Sequence, residues 1–155
     1  MRGNTMKFFG DILTVINNLF VPVGSLGVSR RAMPQIDDDR HEKFLQALES
    51  REIEYERKSI QTQQLRLTQN EVNKMKVWKL MRVLRNKKGL HPVFVSSDNY
   101  ILDGSHRLVA RLNTNKLGKM KTIQIDMKAL ELLQLIRQNQ TEFGVKYRTY
   151  SGEDV

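Results

Sequence analysis

The sequence predicts an α+β domain, in which a small mixed sheet is flanked by helices and preceded by a helical N-terminal extension. Segments with helical spacing of apolar residues alternate with short strand-like segments along the chain. The 155 residues, 39% of them apolar and 28% charged, suffice for one domain with a hydrophobic core. We expect the extension at residues 1–55, the sheet-bearing domain at 56–140 and a polar, loosely held tail at 141–155.

Two helices are predicted in the N-terminal extension. Between Met6 and Phe20 the apolar residues form a wide helical stripe, which could pack on the domain, on another copy of the chain or on a partner protein. Residues 21–34 contain prolines and glycines and predict a loop. Aspartates from Asp37 onward open a second helix, which we expect to end near Ser50. No run of eighteen apolar residues occurs, so we expect no membrane span.

The first strand and helix of the sheet-bearing domain follow from an alternating segment and a capping pattern. The segment Glu56–Leu67 alternates loosely and predicts a half-buried strand. Thr68 and Glu71 match the S/T-x-x-E capping box, so we expect a helix from there to about Asn86. Its candidate buried positions are Val72, Met75, Val77, Trp78, Met81 and Val83.

A hairpin, a helix, a strand and a final helix complete the predicted domain. The strands Pro92–Ser96 and Tyr100–Leu102 are expected to form a hairpin, because Asp and Asn between them favour a tight turn. A helix from Ser105 to Leu112, a strand from Thr122 to Asp126 and a leucine-rich helix from Met127 to Gln138 follow. The buried seam of that last helix is expected at Leu130, Leu133 and Ile136.

Charge and composition favour phosphate-bearing partners and exclude some chemistry. The net charge is +9, which favours nucleic acid or a nucleotide, with simple solubility as the alternative. The chain has no cysteine, so disulfides, thiolate metal sites and cysteine nucleophiles are excluded. The histidines His41, His91 and His106 are far apart in sequence and lack ligand spacing, so we expect no zinc site.

The Asp-Gly-Ser-His-Arg run at 103–107 joins a predicted strand directly to a predicted helix. Gly104 allows a sharp turn and lets a phosphate approach the backbone, and the first N–H groups of the helix form an anion site. Ser105, His106 and Arg107 can add donors to that site. Asp103 can hold a divalent cation such as Mg²⁺ or accept a proton, and His106 can act in proton transfer. An ordinary capped turn is the alternative.

A basic helix and a glutamine are further candidates. Between positions 74 and 88 the sequence has seven basic residues. Three of them at spacing three could follow a nucleic-acid backbone or line a nucleotide cleft, with a solvated helix face as the alternative: Lys79, Arg82 and Arg85. Gln69 could contact a ribose or a base, and helix capping is its alternative.

The region from Ile60 to Asp126 resembles the ParB/sulfiredoxin superfamily. The run Ile-Leu-Asp-Gly-Ser-His-Arg that ends at Arg107 is similar to the signature loop of small ParB-like proteins. The segment Leu67–Glu71 resembles the first motif of the family, and Arg30–Ile36 resembles the lead-in of bacteriophage ParB-like proteins. The resemblance implies a ParB/sulfiredoxin-like sheet that binds ATP or another nucleotide with Mg²⁺, the phosphates lying on residues 104–107.

Three functions are compatible with this resemblance. One is an NTPase or kinase-like phosphotransferase, in which Glu71 would match the catalytic base of the free-serine kinases of the family. The second is a nucleic-acid-binding or nuclease-like module. The third is a non-catalytic phage structural or accessory protein that docks on another phage protein or a second copy through residues 6–20. A phage protein would act in the host cytoplasm or the virion, and any other in the cytoplasm.

Two activities of the superfamily are not expected in this chain. Ser105 stands where sulfiredoxin has its cysteine, which excludes sulfinic-acid reduction as that family performs it. The extra loop arginines and the downstream helix-turn-helix domain of chromosome-segregation ParB proteins have no counterpart in the sequence. We therefore expect neither specific operator binding nor the CTP-driven clamp.

Overall fold

Three strands form one mixed sheet, in the residues 11–22, 26–69, 71–84 and 90–148 that the computed structural model describes. They are β1 (Tyr55–Gln61), β2 (Val93–Val95) and β3 (Lys119–Ile125). The central strand β3 runs antiparallel to β1 and parallel to β2. The mixed sheet and its flanking helices confirm the predicted α+β class.

The helices lie on both faces of this sheet. They are α1, whose described part is residues 11–17, α2 (His41–Ser50), α3 (Lys74–Leu84), α4 (Ser105–Thr114), α5 (Ala129–Gln138) and α6 (Gln140–Phe143). Short 3₁₀ turns precede α2 and follow β1, at Arg30–Ala32, Asp38–Arg40 and Thr62–Gln64. In the described ranges, no helix combines the length and the apolar character that a membrane crossing requires.

Alternate residues of β2 divide the core into two layers. Phe94 packs with α2, α5 and Phe143 in one hydrophobic cluster. Its neighbours Val93 and Val95 pack with α3 and α4 in the other. Successive side chains of a strand point to opposite faces, so a fully apolar strand requires helices on both sides. The fold is therefore three layers, with the sheet in the middle.

The predicted capping box at Thr68 is wrong, because α3 begins six residues later at Lys74. The Thr68 side chain is buried, and its hydroxyl donates to the carbonyl of Ile101. The residue that caps α3 is Asn73, whose Oδ1 accepts a 3.1 Å hydrogen bond from the Lys76 N–H. The predicted end of the helix near Asn86 lies outside the described residues.

The buried face of α3 differs from the predicted one. Val77 and Leu84 are buried, one heptad apart, and Trp78 is only half-buried. Met75 and Val83 are exposed over 41% and 45% of their surface, so their predicted burial is wrong. The later helix start explains the difference, since Val77 enters the core during the first turn and fixes which face points inward.

The predicted hairpin exists as isolated bridges rather than as two full strands. Ile101 bridges Val95 antiparallel, and the N–H of Leu102 donates to the carbonyl of Phe94 at 2.9 Å. Asn99 has a φ of 68°, which matches the tight turn expected from its residue type. The segment also pairs on its other side, where Tyr100 bridges Arg66 in parallel.

The leucine-rich helix α5 begins at Ala129, where the carboxylate of Asp98 accepts the backbone N–H at 3.0 Å. The helix thus begins two residues after the predicted start at Met127. Leu133 and Ile136 are buried as predicted, but Leu130 is 61% exposed and its place in the seam is wrong. Ala129, Leu132, Leu133 and Ile136 form the buried face instead.

The chain after α5 is not loosely held as far as residue 148. Phe143, Val145 and Tyr147 are buried in the first hydrophobic cluster. Gln35 and Lys146 exchange backbone hydrogen bonds of 2.8 and 3.1 Å. The apolar residues alternate with others between 143 and 148, which is the sequence signal of this pairing. The overall polar composition of the segment led to the prediction of a loose tail. Residues 149–155 lie outside the described part.

The described part of the N-terminal helix packs on this domain. Ile16 and Leu19 are buried, and Leu19 joins the cluster of α3 and α4. The backbone of Phe20 makes two hydrogen bonds with the side chain of Asn113, at 2.9 and 2.8 Å. Of the predicted helix, residues 6–10 fall outside the described residues.

Candidate functional site

A cleft of about 310 Å³ lies between α3, the first turn of α4 and the loop that precedes α2; we call it the α3–α4 cleft. The junction before α4 and the first turn of the helix line it, from Asp103 to Arg107. Four basic side chains lie along its walls, from Arg30, Lys76, Arg107 and Arg148. Its apolar wall includes Met33, Leu80, Leu84 and Leu90. The cleft thus combines positive charge with an apolar surface.

Gly104 is the residue before α4 and adopts a left-handed conformation, with φ 96° and ψ 25°. A Cβ at this position would lie 2.8 Å from Cγ1 of Val93. Both the backbone conformation and the packing on β2 therefore require glycine. Glycine has no side chain to cap the helix, and the first N–H groups of α4 have no acceptor within the helix. Free N–H groups at a helix start are donors suited to anions, and this end of α4 lines the α3–α4 cleft.

Asp103 lies between the hairpin and α4, and burial raises the pKa of its carboxyl to about 6. The backbone N–H groups of Ile36 and Gly104 and the charge of Arg107 act in the opposite direction, since they stabilise the carboxylate. A carboxyl with a pKa near neutrality can accept and release protons under ordinary conditions. Because part of the Asp103 population is protonated near pH 6, its average negative charge at the N-terminus of α4 is then less than one.

His106 accepts a 3.1 Å hydrogen bond at Nε2 from the backbone N–H of Asn73. This requires a neutral ring with its proton on Nδ1. Burial, with the charges of Lys76 and Arg30, lowers the pKa of His106 to about 4, which agrees with that state. Nε2 is occupied as the acceptor of this bond, which joins α4 to the start of α3. The ring can therefore donate a hydrogen bond only from Nδ1.

Arg107 is half-buried beside Gly104, and its Nη1 donates a 2.8 Å hydrogen bond to the carbonyl of His91. Burial lowers the pKa of Arg107, while the carboxylates of Asp103 and Asp38 raise it. The side chain is therefore fixed by the chain before β2 and lines the cleft.

The other predicted nucleotide contacts divide between the cleft and the surface. Ser105 is buried at the first position of α4 and lines the cleft. Gln69 also lines it, and its side-chain amide donates to the carbonyl of Glu71 at 2.6 Å. Glu71 itself is exposed and does not line the cleft. Its catalytic assignment stays a prediction.

The basic helix α3 presents its charges to two different environments. Lys76 lines the cleft, where burial and the charge of Arg30 lower its pKa. Lys79 and Arg82 are exposed and do not line it. The guanidinium of Arg82 lies 5.0 Å from the ring centre of Trp78. Arg85 falls outside the described residues.

Two histidines that are distant in sequence meet in space, against the expectation from their spacing. The rings of His41 and His91 are 4.8 Å apart, and both lie within 4.0 Å of carboxylate oxygens of Asp38. Asp38 and His41 are three residues apart, a spacing that brings two side chains together on one helical turn and is visible in the sequence. The approach of His91 depends on the path of the chain into β2, which local patterns do not report.

Fold and site together define an α+β domain with a cleft, lined by several basic residues, at a strand–glycine–helix junction. No family model and no curated protein matches the chain. Among solved structures, the chain is similar to a pNOB8-like ParB N-domain, with 14% identity and a TM-score of 0.43, over 66% of this chain and 54% of the other. The C222₁ form of a Pnob8-like ParB-N domain matches with 15% identity and a TM-score of 0.40, over 59% and 34%.

Both neighbours are ParB-type N-domains, as the sequence resemblance predicted, and the likeness is one of fold. This chain spans about half of one neighbour and about a third of the other.

Proposed function

We propose that the α3–α4 cleft binds a nucleotide, with its phosphates on the first turn of α4. The uncapped N-terminus of α4 in a cleft lined by Arg30, Lys76 and Arg107 carries this proposal. Backbone N–H groups and cationic side chains are the donors that phosphates prefer. The apolar wall at Leu80 and Leu84 suits the face of a base, and the volume lies within the range of small-molecule sites.

Binding is tested by a thermal shift of the full chain with ATP, ADP and CTP in the presence of Mg²⁺. We expect a saturable rise in Tm with at least one nucleotide. Lys76→Gln should weaken that nucleotide about tenfold or more, because a charged hydrogen bond contributes about 1.5–3 kcal/mol. Lys79→Gln is the matched control, since it removes the same charge from a position of the same helix that does not line the cleft. No shift with any nucleotide, or equal losses in both variants, would reject the proposal.

We further propose that Asp103 takes part in phosphoryl transfer or hydrolysis. As a base, it would accept the proton of the water or hydroxyl that attacks the terminal phosphorus, while the bond to the leaving diphosphate breaks. Its pKa of about 6 supports this role. Alternatively its carboxylate would hold Mg²⁺, with phosphate oxygens of the nucleotide as further ligands. Asp103 suits Mg²⁺, because this ion commonly uses one or two carboxylates beside substrate phosphates.

Phosphate release from the nucleotide that shifts Tm tests the chemistry. Asp103→Asn should abolish release while nucleotide binding persists. A rate that rises with pH around 6 supports the base role, and a changed dependence on Mg²⁺ concentration supports the metal role. Undiminished turnover in Asp103→Asn would exclude both.

Nucleic-acid binding is a second candidate, favoured by the Arg82 guanidinium over the half-exposed Trp78 with Lys79 one turn away. An aromatic ring beside cations can stack a base of a single strand and contact its phosphates. Affinity for a single-stranded oligonucleotide should fall steeply with salt, and Trp78→Ala should lower it. Full affinity in Lys79→Gln/Arg82→Gln would exclude this surface.

A further inference from the structure

Asp38, His41 and His91 form a cluster of nitrogen and oxygen donors beside the α3–α4 cleft. One donor atom from each lies within 4.8 Å of the other two. Nε2 of His41 is 3.9 Å from Oδ1 of Asp38, and Nε2 of His91 is 4.0 Å from Oδ2. Both imidazoles thus turn the same nitrogen toward one carboxylate.

The ring of His41 and the backbone of His91 are held by contacts with the domain, while the side chains of Asp38 and His91 are exposed. The ring of His41 packs 4.8 Å from the ring of Phe94, a fully buried residue of β2. The carbonyl of His91 is held by Arg107 at 2.8 Å. The side chains of Asp38 and His91 are 76% and 49% exposed, so they can rotate with little disturbance of the core.

The donor separations are wider than those of a filled metal site by an amount that rotation of the exposed side chains can close. Zn–N and Zn–O bonds of about 2.0–2.2 Å in a tetrahedral site place donor atoms about 3.3 Å apart. The 3.9 and 4.0 Å contacts reach the two different oxygens of Asp38, and one donor atom from each residue lies within 4.8 Å of the others, so metal binding would draw the donors together by up to about 1.5 Å. Two imidazoles and one carboxylate are ligands of Zn²⁺ and related transition metals, whereas Mg²⁺ prefers oxygen.

We propose that Asp38, His41 and His91 bind a divalent transition-metal ion of the Zn²⁺ type. Three protein ligands leave a fourth position for water or for an oxygen of another ligand, as in open zinc sites. Asp38 also lines the α3–α4 cleft, so this position adjoins the cleft. The charges of Arg57 and Arg107 act on His41 and oppose a cation, which limits the affinity but leaves the donor set intact. The metal site does not depend on nucleotide binding.

Calorimetric titration of the metal-free full chain with ZnCl₂, without nucleotide, tests the site. We expect one ion per chain. Asp38→Asn and His91→Gln should each weaken binding at least tenfold, and both change exposed side chains, so the variants should fold. Asp39→Asn is the matched control, because it alters the neighbouring exposed carboxylate and should bind as the parent chain does.

Two results would overturn the proposal: no saturable binding of Zn²⁺, or unchanged affinity in both Asp38→Asn and His91→Gln. Mg²⁺ in hundredfold excess should leave Zn²⁺ bound, and displacement would reject the imidazole donors. His41→Ala, checked for folding by circular dichroism, should also lose the ion. Because no nucleotide is present, these results are independent of the nucleotide proposal.

Discussion

The N–H of Asn73 donates a 3.1 Å hydrogen bond to Nε2 of His106, and this contact joins the start of α3 to the start of α4. Asn73 caps α3 with its side chain at the same point. The two helices that form the cleft are therefore fixed to each other through a neutral imidazole. Protonation of that ring would replace the acceptor with a donor facing an N–H group.

His106 should make the protein less stable in mild acid. Its pKa is lowered to about 4 in the folded chain, against 6.5 for an ordinary histidine, so the unfolded chain binds the proton more readily between these values. The stabilising effect is complete above pH 6.5 and is lost as the pH falls through 4. The shift corresponds to about 3 kcal/mol. Urea unfolding at pH 4 and pH 7 should show that His106→Gln removes this loss, and an unchanged pH dependence would refute it.

Asp103 should have the opposite effect over nearly the same range. Its pKa is raised from 3.8 to about 6, so its contribution is complete below pH 3.8 and is lost as the pH rises through 6. The difference is about 2–3 kcal/mol. Asp103→Asn should therefore be more stable than the parent chain at pH 7 and close to it at pH 4. A variant that is destabilised at pH 7 would contradict this account. Asp126→Asn, at an exposed position that does not line the cleft, controls for general charge effects.

Gly104→Ala should lower the free energy of unfolding through two separable contributions, one from the backbone conformation and one from packing. A left-handed residue with a Cβ costs about 1 kcal/mol, and contact with Val93 adds about 1–3 kcal/mol. In a Val93→Ala background the second term should disappear while the first remains. Denaturant unfolding of the four chains measures both. Equal costs in the two backgrounds would show that the contact with Val93 relaxes freely.

Tyr147→Phe should stabilise the protein by about 1 kcal/mol. The hydroxyl of Tyr147 is buried and makes no hydrogen bond with the residues that the structure describes, and burial raises its pKa to about 12. Removal of an unsatisfied buried group relieves its desolvation cost. The ring, which lies 4.3 Å from the guanidinium of Arg137, is retained. Tyr147→Leu is the control, since it removes the ring and should destabilise. A lower Tm for Tyr147→Phe would contradict this account and show that the hydroxyl has a hydrogen-bond partner.

Features determined by local patterns could be predicted from the sequence, and those determined by distant contacts could not. The Asp-Gly run before α4 and the turn at Asn99 depend on backbone conformation, which residue type reports directly. The capping box failed because the hydroxyl of Thr68 is used by Ile101, on another segment. Leu130 was misplaced because Asp98 sets the start of α5. Each error arose where a long-range hydrogen bond outweighed a local preference.

The candidate site shows the same division. The sequence placed Asp103, Ser105 and Arg107 together, and the structure lines one cleft with them. It pointed to the basic helix as a possible wall of the cleft but named Lys79, Arg82 and Arg85, whereas Lys76 of that helix lines it. It gave no sign that Arg30 would line the cleft or that His91 would meet His41, because those approaches depend on contacts distant in sequence.

The central strand β3 is also the last of the three in the chain, and this has a consequence for synthesis. Tyr55 pairs with Ile125 and Val93 with Thr122, so in the described part of the chain β1 has no partner strand until β3 is available, and β2 has only its bridge to Ile101. During translation both earlier strands present unpaired N–H and carbonyl groups, which can recruit other chains. Such non-local pairing slows folding. The nascent chain is therefore most exposed to aggregation just before β3 emerges, and chaperone demand should be greatest at that stage.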